Sequence, residues 1–282
     1  MKQRSADLHL HTNHSDGTFT PEEVVRRAEE KGLTVISITD HDSVGGIEAA
    51  RKAAAGRIEI LPGVEMTAAF GRREIHILGY GIHFEDPSWV DFLDGLQRRR
   101  VDRIQAMIER LQPHGISITL EEVQKISGGG SLGRPHLAEI LLQKGAVRSF
   151  DEAFQRYLGD NAPCFVKTVD LTVQETVRRI HHAGGVAVCA HPYRIVDDAW
   201  IPELIEDGIQ GIEVHHSEQT GAVAEKYRRI ASKEDLLMTG GSDCHGFRKS
   251  KGPLIGTVTI SYEWVDRLKE AISAVRSEPV DR

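Results

Sequence analysis

Short apolar runs alternate with amphipathic stretches along this chain. The segment "TPEEVVRRAEEKGL" opens with Thr20 in a helix-capping position and Pro21 at the first helical position, and it closes at Gly32. The next segment, "TVISITDHD", is an apolar run that ends in polar residues, the pattern of a buried strand. The same order recurs in "RIEILPGVE", "EIHILGYGI", "GVAVCAHP", "IQGIEVHH", "LLMTGGSDCH" and "LIGTVTI", with helical patterns at 43–55, 172–183, 199–207, 218–233 and 262–276. Repeated alternation of this kind predicts an α/β fold built on a mostly parallel sheet or barrel.

Residues 88–165 break the rhythm. They read as helices, with a long basic segment "LQRRRVDRIQAMIERLQ", shorter helical patterns at 119–126, 135–144 and 150–158, and the flexible "SGGGSLG" between them. The expected organisation is therefore a barrel formed by 1–87 and 166–282, interrupted by a helical insertion at 88–165. The alternative is that these helices are ordinary surface helices of the barrel.

Composition narrows the function classes. The chain has 282 residues, enough for one large core, and a formal charge of −7, which argues against broad electrostatic binding to long nucleic acid and favours small substrates. Its three cysteines, Cys164, Cys189 and Cys244, are widely spaced and suggest neither a disulfide framework nor a thiolate metal site. No apolar signal region opens the chain and no uninterrupted apolar run is long enough to span a membrane, so a cytoplasmic protein without a membrane partner is expected.

The unusual side chains fall where the expected strands end. In "ADLHLHTNHSDGT", His9 and His11 alternate with Leu8 and Leu10, so a strand places both imidazoles on one face. Asp16 follows in the loop. His41 ends the second strand, Glu65 the third, His76 lies in "EIHIL", His191 ends "VAVCAH", and Asp243 and His245 end "MTGGSDCH". The carboxyl ends of parallel strands share one functional rim, so these nine groups are expected to meet there and hold several metal ions. Burying so many polar groups without a metal would be costly. Asp40 is expected to support the site as an acceptor for a ligating histidine. His83, His114, His136, His181, His182 and His215 are expected to be surface or hydrogen-bonded core residues.

In order along nearly the whole chain, "DLHLHTNHSDGTFTPEEVV", "ITDHDSVGG", "LPGVEMT", "IHILGYG", "CAHP" and "GGSDCHG" resemble the successive motifs of the polymerase and histidinol phosphatase (PHP) superfamily. Within it, the chain looks most like stand-alone bacterial phosphoesterases with a helical insertion, which act on 3′,5′-nucleoside bisphosphates and in some members trim short RNA from the 5′ end. The resemblance implies a distorted (β/α)7 barrel with a trinuclear centre, usually of manganese. Carried over by motif, His9, His11, Glu65 and Asp243 hold the first ion, Glu65 bridges to a second held by His76 and His191, and Asp16, His41 and His245 hold the third.

The donor chemistry agrees with that implication. Imidazole and carboxylate ligands suit manganese, iron or zinc, without distinguishing among them. Three divalent ions against the charges of Asp16, Glu65 and Asp243 leave the site positive, as a phosphate dianion requires. The expected reaction is in-line attack on phosphorus by a metal-activated water. Substrate selection is expected from the insertion, with Arg134 the first candidate for a second phosphate and Arg103 and Arg99, one helical turn apart, following it. The expected partner is a small phosphorylated nucleotide or a short oligonucleotide. Competing readings are a histidinol-phosphate phosphatase, an exonuclease of long polynucleotides, an amidohydrolase-like amide or ester hydrolase, and a non-catalytic metal-binding module.

Overall fold

Strand β1 (Ser5–Leu10) is buried from Ala6 onward and leads into α1 (Pro21–Glu30). At the start of α1 the Thr20 hydroxyl accepts from the Glu23 amide while the Glu23 carboxylate accepts from the Thr20 amide. This reciprocal cap satisfies two donors that a helix start leaves free, and the same device opens two later helices through Thr119 with Glu122 and Thr172 with Glu175. The computed structural model describes residues 5–71, 73–167, 171–195, 198–248 and 252–277. After α1 the chain forms β2 (Val35–Ile38), α2 (Ile47–Ala54), β3 (Glu59–Phe70), β4 (Arg73–Tyr80), α3 (Pro87–Leu111), α4 (Leu120–Ser127), α5 (Arg134–Gln143) and α6 (Phe150–Ala153). It continues through α7 (Val173–His182), β5 (Val186–Cys189), α8 (Ile201–Glu206), β6 (Gly211–His216), α9 (Gly221–Lys233), β7 (Leu237–Gly241), β8 (Ile260–Ser261) and α10 (Tyr262–Ser277).

The strands lie side by side in the order β7-β6-β5-β4-β3-β2-β1-β8. The sheet curls until β1 meets the segment that follows β7. There the His11 amide donates to the Cys244 carbonyl at 3.1 Å, and the Asp243 amide donates to the His9 carbonyl at 2.9 Å. The result is a distorted α/β barrel of seven strands, with the two-residue β8 added antiparallel at the start of β1.

Two features depart from the sequence reading. Strand β4 is antiparallel to both β3 and β5. Phe70 pairs directly with Arg73, and so short a turn cannot carry the crossover that a parallel return needs. The segment "LIGTVTI" forms a strand only at its end, in β8, and residues 254–259 run through turns and irregular backbone instead.

Helices α3 to α6 enclose a core of their own. Ile104, Met107, Ile108 and Leu111 of α3 pack with Val123, Leu137, Leu141, Leu158 and Cys164. The first half of the same helix, through Trp89, Leu93 and Leu96, belongs instead to the barrel core. The boundary expected at residue 88 thus falls inside a continuous helix that serves both cores. Among the described residues, no helix is long and apolar enough to cross a membrane.

Candidate metal centre

The alternation in β1 works as its sequence suggests. Leu8 and Leu10 pack into apolar cores, while His9 and His11 are buried on the other face and point at Glu65. That carboxylate is the centre of the cluster. Its Oε2 lies 3.3 Å from His9 Nε2 and 3.2 Å from both His11 Nε2 and His41 Nδ1. Its Oε1 lies 2.8 Å from His76 Nδ1 and 3.0 Å from His191 Nε2. Asp243 Oδ1 stands 3.5 Å from His9 Nε2 and 3.2 Å from His11 Nε2, and Asp16 Oδ1 stands 3.3 Å from His245 Nε2. All nine side chains expected at the rim are therefore brought together.

Several of these groups approach one another without being satisfied, although His76 and His191 both bond to Glu65 Oε1. His9 Nε2, both ring nitrogens of His11 and His41 Nδ1 are buried and have no aligned hydrogen-bond partner. Nitrogen lone pairs and carboxylate oxygens that crowd together in this way are the donor set a shared divalent cation satisfies. Three groups have ligand atoms within 4.8 Å of one another: His11, Asp16, His41 and His245; His9, His11 and Asp243; and His41, Glu65 and His76. Two tautomers follow from acceptor-only partners. His245 Nδ1 donates to the Asp243 carbonyl at 3.0 Å and His9 Nδ1 donates to the Glu213 carboxylate at 2.8 Å, so each neutral ring keeps an Nε2 lone pair facing the cluster.

Local backbone explains several placements. Because β4 runs antiparallel, His76, nearer its start, reaches the rim that the ends of the parallel strands form. His191 and Asp243 adopt left-handed backbone at φ 31° and 50°, a strained conformation for residues with a side chain, and both turn inward just beyond their strands.

Asp40 does not accept from a ligating histidine, contrary to expectation. It accepts from the Thr12 amide at 2.7 Å, the Thr12 hydroxyl at 2.6 Å and the Ser15 hydroxyl, and so fixes the loop that carries Asp16. The acceptor role falls to Glu213, which sequence reasoning missed. Glu213 Oε1 receives His9 Nδ1–H, and Oε2 receives the His191 amide at 2.7 Å. His216 was missed as well. It is buried, with Nε2 3.2 Å from Asp243 Oδ2. Strict alternation in "IEVHH" would put His215 beside Glu213, but the register shifts between Glu213 and His215, which turns His216 inward and leaves His215 stacked on Trp264 at 5.3 Å.

The electrostatics are those of closely packed opposite charges. Burial alone would raise the carboxyls of Glu65 and Asp16, but the surrounding histidines override it and hold both well below the usual carboxylate range. Burial would likewise lower His11, yet the close carboxylates of Asp243 and Glu65 carry it up to about 10. At His191 burial dominates and pushes the ring down to about 3.

The cluster forms one wall of a cavity of about 800 Å³ whose other wall comes from α3, α5 and the α6 region. Arg134, Arg103 and Arg100 line it. Arg134 donates to Asp160 at 2.6 Å and lies over the Phe154 and Phe165 rings. Arg103 donates to the Val166 carbonyl and to Glu74, and burial lowers it to about 9. Arg99 is exposed and does not line the cavity. Its neighbour Arg100, three residues before Arg103, points inward and pairs with Asp42.

A family model described as the PHP domain matches residues 7–159. The chain is 34% identical over 247 residues to the 5′-3′ exoribonuclease Rnm of Escherichia coli, covering 85% of this chain and 84% of the relative. It is also 34% identical over 246 residues to the 3′,5′-nucleoside bisphosphate phosphatase of Chromobacterium violaceum, covering 85% of this chain and 86% of that one. A solved structure from Bifidobacterium adolescentis, provisionally described as a metal-dependent phosphoesterase, superposes with a TM-score of 0.84 at 29% identity, over 95% of this chain and 96% of the other.

Proposed function

This chain belongs to the PHP domain family of phosphoesterases, and we propose that it hydrolyses the 3′-phosphate of 3′,5′-nucleoside bisphosphates at a centre of three divalent ions. One observation carries the reading: unsatisfied imidazole nitrogens and ionised carboxylates converge on one wall of a cavity whose opposite wall carries arginines. His9, His11, Glu65 and Asp243 would hold one ion, Glu65, His76 and His191 a second, and Asp16, His41 and His245 a third. Manganese, iron or zinc suits these donors. Bound there, the ions supply positive charge to the phosphate oxygens and activate water at neutral pH.

The rest of the chemistry is the protein's own. Six histidines contribute no charge as neutral ligands, and Asp16, Glu65 and Asp243 contribute −3 against the +6 of three ions, so about +3 remains to attract a phosphate dianion. Glu213 and the Asp243 carbonyl hold His9 and His245 in the tautomers that face the centre. The helices of 88–165 act as a cap. Arg134, at the start of α5, receives the phosphate that is not cleaved, while Arg100 and Arg103, already paired with Asp42 and Glu74, brace the cavity wall and raise its potential.

Trimming of short RNA from the 5′ end is a second reading, supported by the Escherichia coli relative at equal identity. Phosphate release from adenosine 3′,5′-bisphosphate and histidinol phosphate, with mononucleotide release from a 5′-phosphorylated oligonucleotide alongside, tests the proposal. Efficient turnover of the bisphosphate is expected, and turnover of histidinol phosphate alone would overturn it.

A further inference from the structure

Among the described residues only two large hydrophobic side chains are exposed, Phe247 at 64% and Leu142 at 37%, and both line the cavity that holds the histidine cluster. The Phe247 ring is exposed without being loose. Its amide donates to the Thr18 hydroxyl at 2.9 Å. The preceding Gly246 sits at φ 71°, where a Cβ would collide with that hydroxyl, so the turn is tied to the α1 side of the barrel. Phe19, itself buried, meets the ring edge-to-face with centroids 5.2 Å apart and an interplanar angle of 76°. The ring is thus braced by its neighbour and open toward the cavity mouth, two residues along the chain from His245.

The opposite side of the mouth is tied to the same loop. Arg248 pairs with Glu139 of α5 at 2.8 Å, and Leu142 lies one helical turn beyond Glu139. An apolar aromatic surface and an aliphatic one therefore flank the entrance to a site otherwise lined with histidines, carboxylates and arginines. Two side chains make too little apolar area for a protein-docking patch. Their setting suits one flat aromatic group carried on a phosphorylated body.

We propose that Phe247, in the cavity that Leu142 also lines, is the stacking platform for the nucleobase of the substrate. The inference rests on the phosphoesterase reading above and deepens it: the metal centre engages one phosphate, the cap arginine another, and Phe247 selects molecules that carry a base over sugar phosphates that do not. Stacking on an aromatic ring tolerates any base, because every base presents a π-face, so the platform selects nucleotides as a class.

Calorimetric titration of the manganese-loaded protein with adenosine 5′-monophosphate and with ribose 5-phosphate tests this directly. The intact protein should bind the nucleotide about tenfold more tightly or better, a gain of the size that stacking supplies. Phe247→Ala should reduce nucleotide affinity to the level of ribose 5-phosphate and leave ribose 5-phosphate unchanged, and Phe247→Trp should restore the difference. Equal binding of the two ligands by the intact protein, absence of nucleotide binding, an unchanged nucleotide affinity in Phe247→Ala, or equal losses on both ligands would overturn the proposal. Phosphate release measured in parallel speaks to the reaction alone: discrimination without hydrolysis would remove the assigned reaction and leave the platform standing.

Discussion

Replacing Glu213 by Gln separates ligand positioning from simple packing. The carboxylate is fully buried and accepts two hydrogen bonds, from His9 Nδ1–H at 2.8 Å and from the His191 amide at 2.7 Å. Burial alone would raise its pKa, but His9 and the neighbouring histidines override that and keep it below the usual range, so it is ionised at neutral pH. Glutamine has almost the same shape and only one acceptor oxygen, so its NH2 must face one of the two donors. A buried donor left unsatisfied costs about 1–3 kcal/mol. Loss of a group that orients a ligating histidine costs about ten- to hundredfold in metal affinity, or about 1.4–2.8 kcal/mol. Manganese affinity measured by competition with a chelator should therefore fall by that factor, and the variant should melt somewhat lower with the metal removed. A Glu213→Gln protein with unchanged manganese affinity but a lower melting temperature would exclude the positioning role and make Glu213 a packing residue only.

Asp40→Ala removes three hydrogen bonds that hold the Asp16 loop, so metal analysis should show loss of one ion in preference to the others, the one at Asp16, His41 and His245. Full metal content would show that the loop holds itself. His136 is buried, and its ring is lowered to about 4 by burial first and by Arg248 second. Its folded pKa lies below the unfolded value, so its contribution is fully present above about pH 6.5 and is lost as pH falls toward 4; between pH 7 and pH 5 that amounts to about 2 kcal/mol. Denaturation at the two pH values should show His136→Gln losing less stability on acidification than the intact protein, and parallel losses would contradict the assignment. Arg134→Ala should reduce kcat/KM about ten- to hundredfold for a 3′,5′-bisphosphate and far less for a 3′-monophosphate. Equal losses on both would place Arg134 at the cleaved phosphate or in the fold.

Much of the barrel was legible because burial imposes simple periods. The alternation of His9 and His11 with leucines, and the polar ends of "ITDHD" and "GGSDCH", mark the rim directly. What escaped reading depended on departures from those periods. His216 faces the centre only because β6 shifts register after Glu213, and nothing in "IEVHH" announces the shift. Glu213 lies within an apolar strand and is paired with a histidine two hundred residues away in sequence, a contact that only the closed barrel creates. Arg100 was passed over for Arg99, although Leu96 and Ile104, four residues to either side of Arg100, mark its side of the helix as the inward one. The direction of β4 could have been read from the short Gly71 turn, since two residues cannot carry a crossover. The border between the two cores was hidden because α3 crosses it without interruption.

The proposed function requires these nine side chains to hold three divalent ions for phosphoester hydrolysis. Anomalous diffraction from crystals of the manganese-loaded protein tests it most directly. Three manganese peaks per chain are expected, with His9, His11, Glu65 and Asp243 around one, Glu65, His76 and His191 around the next, and Asp16, His41 and His245 around the last. A single peak, or peaks too distant from these side chains for ligation, would contradict it.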